Sequence, residues 1–485
     1  MVGRAATMAD AARKGGTHTM TIKVELAPIR VPEFGLPRDE PEISPAEYEE
    51  RLRLARARAQ AEGLDFLLVY GDREHFANLT YLTGHDPRFE EALLVLPGTD
   101  GQPAIILGNE GMGYAELIPV AVERRLYQGF SLLGQKRADS PRLEPVLRKC
   151  GIGPGSRLGL AGCKYATPEE SDDPAHWLDV PAFIVDALRS LVGRAGRVVN
   201  ATPMFMNPVD GLRVTNSVHQ LAAFEFGAAH CSQAVRSVIE HLRPGMTELE
   251  AGQALRLSGL PLSVHPMLSS GPRARLGLPS PSSRVIQRGD PFSVAVGLRG
   301  GLTARAGFVV AARSELPAAI SDYLERLVKP YWAAAVAWYE RVGIGVTGGE
   351  LQSVVETALA GSRIGIALNP GHLIHLEEWV HSPVYPGSTV PLQSGMLVQC
   401  DIIPVVETQY HATNVEDTVA LADQPLRERL AQAYPELWQR VQARRDLMQD
   451  VLNIRLKPEV LPFSNLPAVL QPFCLAPDLA MVVVS

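Results

Sequence analysis

The chain has 485 residues, 46% hydrophobic and 20% charged, with a formal net charge of −7. Such a length calls for two or three domains, and the composition excludes a largely disordered chain. The acidic balance leaves no global electrostatic case for nucleic acid or an anionic membrane surface, and no run of about 18 apolar residues marks a spanning helix.

Five cysteines, Cys150, Cys163, Cys231, Cys400 and Cys474, are widely spaced and lack CxxC pairing. That usage fits reduced thiols in a cytosol, not a disulfide framework or structural zinc. Residues 1–43 read as a flexible leader: Arg4, Arg13 and Lys14 precede no apolar segment, and Met8 and Met20 are alternative starts. The first helix is expected from Pro45, with Ser44 as N-cap, Glu47 completing a capping box and Gly63 as the stop. Strands follow at 66–70, 92–96, 104–107, 157–161 and 197–199, so residues 44–206 read as an α/β domain.

The sequence Asn207-Pro208-Val209-Asp210-Gly211 breaks the pattern. A long amphipathic helix then carries Leu221, Phe224, Ala228, Cys231, Val235, Val238 and Leu242 at spacings of three and four. Thr247 with Glu250 opens the next helix, and the signal returns one hundred residues later in Thr347 with Glu350. Strand-like runs lie at 292–296, 307–311, 396–403 and 418–421. Residues 207–425 therefore read as an α+β domain with two helix pairs on one face of a sheet. The remainder, 426–485, reads as a helix and a proline-rich tail packed on the body.

Several segments in order now carry a resemblance: YLTG at 81–84, LRPGMTELE at 242–250, Gly289-Asp290, NPGH at 369–372, GMLVQCD at 395–401 and NVEDT at 414–418. Together they resemble the M24 metallopeptidases (aminopeptidase P, prolidase, methionine aminopeptidase and the metal-free relative creatinase) over about 44–425. The resemblance implies a creatinase-like α/β domain followed by a pita-bread domain, a curved, mainly antiparallel sheet with pseudo-twofold helix pairs. It also implies a homodimer and a small-molecule or short-peptide substrate. The family holds two divalent ions on two Asp, one His and two Glu, because adjacent dications need bridging carboxylates.

Carried over position by position, the two Asp sites read as Ala295 and Ala306, while His372, Asp401 and Glu416 remain. No dinuclear metal is therefore expected, although a single weakly held divalent ion on His372, Asp401 and Glu416 stays chemically allowed. The leaving-group histidine of the family has no counterpart near 278–279, and His265 is the nearest. His372 is expected as general acid/base, oriented by Asp401 and Glu416. His381, His265, Arg273, Arg305 and His411 are candidate substrate contacts, whereas His375, Glu377 and Glu378 are expected in a solvated loop. The implied activity is a metal-independent hydrolase of a small C–N substrate (dipeptide, amidine or guanidine type); the alternative is a catalytically inactive binding or regulatory protein.

Overall fold

The computed structural model describes residues 22–138, 140–378, 381–410 and 412–484. Strand β1 (Val24–Pro28) opens the chain, and the helix Pro45–Ala61 begins where Ser44 Oγ accepts the Glu47 N–H. Glu47 does not close a capping box; its carboxylate bonds Arg51 and Ser217 instead. Strands β2 (Phe66–Gly71), β3 (Ala92–Pro97), β4 (Ala104–Leu107), β5 (Glu123–Leu126), β6 (Arg157–Ala161) and β7 (Arg197–Asn200) form a mixed sheet in the order 5-4-3-2-6-7. The runs read as strands in the sequence are strands here. Leu67, Val69 and Leu94 face a core shared with Leu52, Ala55 and Ala59, while Leu68, Tyr70 and Leu93 face Leu147, Ile184 and Leu188. Burial on both faces explains why these strands read as continuous apolar runs. The segment 78–83 forms the helix Ala77–Thr83, closed by Gly84 at φ +70°.

The second sheet contains β8 (Leu262–Ser270), β9 (Pro291–Leu298), β10 (Gly301–Phe308), β12 (His372–Leu373), β13 (Leu397–Asp401), β15 (Asn414–Leu421) and β16 (Val460–Pro462). It is antiparallel throughout, in the order 12-13-15-10-9-8, with β16 paired to the end of β15. A small ribbon of β11 (Gly365–Ile366) and β14 (Pro404–Val405) lies beside it. The run expected at 307–311 is displaced: the strand is Gly301–Phe308, because Gly300 at φ +83° makes the hairpin turn earlier.

Helices Val218–His241 and Lys329–Arg341 cover one face of this sheet, each followed by a shorter helix, Glu248–Gln253 and Gly348–Leu359. The two pairs repeat in detail. Thr247 and Thr347 each close a capping box with Glu250 and Glu350. Gly245 N–H donates to Ile286 O at 2.9 Å, and Gly345 N–H donates to Leu392 O at 2.8 Å. The tail crosses the helix-covered side, and β17 (Leu479–Val483) pairs with β1. Phe463, Leu466, Val469 and Leu470 are buried. Among the described residues, no helix is long and apolar enough to cross a membrane.

Candidate active site

Strand alternation assigns each side chain to a face of the second sheet. Val296, Thr303, Arg305, Cys400 and Asp417 turn toward the helices. The opposite face carries a cross-strand row, Met267–Ala295–Ala304–Glu416–Asp401, set by register. His372 on β12 pairs with Gln399, two residues before Asp401 and on the same face. Nε2 of His372 lies 3.7 Å from Glu416 and 3.9 Å from Asp401, with the side chains almost wholly buried. Nδ1 approaches Leu373 O at 2.9 Å; a carbonyl only accepts, so Nδ1 carries the proton and Nε2 faces the acids.

A third carboxylate completes the ring. Glu378 Oε1 lies 3.3 Å from the same Nε2. Burial alone would lower the His372 pKa, but Glu378, Glu416 and Asp401 outweigh it and hold the imidazole well above its ordinary range. Burial and the neighbouring Asp401 push Glu416 well up, and burial pushes Asp401 to about 6 against the pull of His372. Nε2 of His372 and Oδ1 of Asp401 have no hydrogen-bond partner. A buried imidazole among three acids with unsatisfied atoms is a site built to carry a proton or a cation.

The register settles which ions the residues suit. Methyl groups occupy the row at Ala304, beside Glu416, and at Ala295 beyond it, so these two positions offer no carboxylate to a second dication. The donor set does not fit two ions. His372, Asp401 and Glu416 offer ligand atoms within 4.8 Å of one another, which fits one. Ala306 lies one row farther along, opposite Ser293 and Asn414; the short hairpin brings Ala304, not Ala306, against Ala295 and Glu416.

The other expected contacts separate. Arg305 faces the helices and is buried, paired with Asp417 at 2.7 Å and donating to Val469 O, so it does not enter the site. Arg273 is committed to the buried carboxylate of Glu248 and to Ser282 Oγ at 2.6 Å. His265 is exposed on β8, with Nε2 2.9 Å from Leu278 O. His411 lies outside the described residues. His381 stays near, because Leu373 N–H donates to its carbonyl at 2.8 Å; its half-buried ring stacks on Tyr165 at 5.9 Å.

The loop expected to be solvated is the main correction. His375 is fully buried between Tyr81 and Phe224 rings, at 5.7 and 4.8 Å. Glu377 is ion-paired with the buried Arg213, and Glu378 reaches His372. The density of polar residues between His372 and His381, beside a core strand, was the available signal. The reason they are buried is an arginine far away in sequence.

Residues 223–423 match the Metallopeptidase family M24. No curated protein matches the chain in sequence. Among solved structures, dipeptidase PepE from Mycobacterium ulcerans is similar at 20% identity and TM-score 0.58, over 79% of this chain and 95% of that one. The prolidase from Pyrococcus horikoshii OT3 gives 15% and 0.58, over 77% and 95%. The prolidase from Thermococcus sibiricus gives 17% and 0.59, over 78% and 95%. With its curled antiparallel sheet and paired helices over the residues that match the M24 family, the chain has the M24 pita-bread-like fold.

Proposed function

We propose that this chain is a divergent hydrolase acting on a small C–N substrate, a dipeptide, amidine or guanidine type, without a dinuclear metal centre. The observation that carries the reading is the row of Ala295 and Ala304 beside an intact His372, Asp401 and Glu416. His372, Asp401 and Glu416 would hold one divalent ion, which would supply an acidified water. The chain's own residues account for the proton traffic. Where no ion is bound, Leu373 O fixes the imidazolium through its Nδ1–H, and the Nε2–H is the donor to a leaving nitrogen. The carboxylate of Asp401 or Glu416 is the acceptor for the proton of the attacking water, and the remaining acids offset cationic charge on the substrate.

A second reading, a binding or regulatory protein without turnover, draws on the burial of the site: His372, Asp401 and Glu416 are 2%, 5% and 6% exposed, and only Glu378 reaches outward. Elemental analysis and a substrate panel separate the readings. Purified protein is expected to hold no more than one equivalent of Mn, Co, Fe or Zn, and His372→Ala to abolish hydrolysis of Xaa-Pro peptides or guanidino acids while the circular dichroism spectrum of the folded chain is retained. Two tightly held equivalents overturn the first reading. A wild type inert on the whole panel favours the second.

A further inference from the structure

Arg213 lies in the segment that joins the two sheets and is wholly buried. Its Nη1 donates to Asn78 Oδ1 at 2.6 Å and Glu377 Oε1 at 2.8 Å. Nη2 donates to Glu377 Oε2 and to His375 Nδ1, the latter at 3.1 Å. Asn78 belongs to the helix Ala77–Thr83 of the first layer, where Tyr81 also donates from its hydroxyl to Leu212 O at 2.8 Å. One guanidinium thus ties the amino-terminal layer, the connecting segment and the loop after β12.

That loop is held from both sides. Gly300 N–H donates to His375 O at 2.7 Å, and His375 N–H donates to Glu377 O at 3.1 Å. The residue after Glu377 is Glu378, whose carboxylate lies 3.3 Å from His372 Nε2. A partly exposed glutamate held against a buried imidazole needs its backbone fixed, because a free loop carries its acid into water. A bidentate fork on the preceding residue supplies that restraint with defined geometry.

We propose that Arg213 is a positioning residue: its fork on Glu377 delivers Glu378 to His372, so that docking of the amino-terminal layer through Asn78 completes the site. The proposal rests on the functional reading only in the importance it gives to His372. Nothing in it requires turnover.

The test is the imidazole signal of His372 in full-length protein labelled on histidine, assigned by its disappearance in His372→Gln. Glu378→Gln and Arg213→Met are each expected to move that signal in the same direction. The double variant should move it no farther than Glu378→Gln alone, because coupled residues do not add. Arg213→Lys, which keeps the charge on one donor nitrogen but not the fork, should restore part of the wild-type position. Removing one partner of a buried pair is strongly destabilising. If Arg213→Met does not fold, Glu377→Gln and Asn78→Ala are read in its place and should give the same displacement. The proposal is overturned if the Arg213 and Glu377 variants fold with the His372 signal unmoved, if their effect adds to that of Glu378→Gln, or if Glu378→Gln itself leaves His372 unshifted. Absence of hydrolysis in every variant and the wild type, with the shifts coupled as expected, sinks the hydrolase reading alone.

Discussion

Two histidines three residues apart are driven in opposite directions. His372 Nε2 meets three carboxylates, and its proton is retained. His375 is buried with two arginine charges near it, Arg213 and Arg51; burial first, then these charges, hold its pKa well below the ordinary value. Its Nδ1 accepts from Arg213, so the proton resides on Nε2, which has no partner. The consequence for stability follows by linkage. Below pH of about 6.5 the unfolded chain takes up a proton at His375 that the folded chain refuses, so this residue's contribution is complete above that pH and declines as pH falls. His372, with its raised value, contributes in the opposite sense: its share is present below its unfolded value and is lost as pH rises through the folded one. We expect His375→Asn, which keeps an acceptor toward Arg213, to flatten the fall in unfolding free energy, measured by urea titration between pH 6.5 and 5, by up to about 1.4 kcal/mol per pH unit. An unchanged pH slope would contradict the assignment. None of this was legible in the sequence, where His375 reads as a loop histidine, because Arg213 lies 162 residues away.

The helix pairs show the element scale at its most legible. A Thr followed three residues later by Glu satisfies two orphan N–H groups reciprocally, and the signal depends only on local spacing. Both boxes form, with Thr247 Oγ1 3.1 Å and Thr347 Oγ1 3.2 Å from the Glu N atoms at the third position. Thr247→Ala and Thr347→Ala are each expected to cost about 1 kcal/mol, read as lowered urea midpoints of similar size. A large loss in one and none in the other would mean that the two caps do different structural work. Strands were less legible where a turn decides their ends. The hairpin between β9 and β10 begins its return at Gly301, and a Cβ on Gly227 of the covering helix would collide with Arg299 O. The tight turn at Gly300, φ +83°, places Ala304 opposite Ala295. Spacing counted along the chain assigns Ala306 to that place, whereas cross-strand register assigns Ala304.

At the scale of the whole molecule, the tail is part of the core. Ser464 Oγ donates to Asp417 at 2.6 Å, Ala468 N–H donates to the same carboxylate at 3.0 Å, and Arg305 pairs with it. Val460, Leu461, Phe463, Leu466, Val469, Leu470, Phe473 and Met481 are buried. At about 1.5–3 kcal/mol for each, their joint loss matches or exceeds the about 5–15 kcal/mol that holds a domain folded. A chain ending at Glu459 is therefore expected to aggregate, seen as loss of the monodisperse peak in size-exclusion chromatography; a soluble product with the wild-type melt would refute this. The sequence by itself determined the order of elements and the paired caps, because periodicity and capping chemistry are local properties, and the set His372, Asp401 and Glu416 was legible only through the resemblance of its motifs to the M24 family. The tertiary structure alone decided that Glu378 joins this set, that Arg305 leaves it and that Ala304 faces Ala295. Those outcomes depend on which face a strand presents and on contacts between residues far apart in the chain.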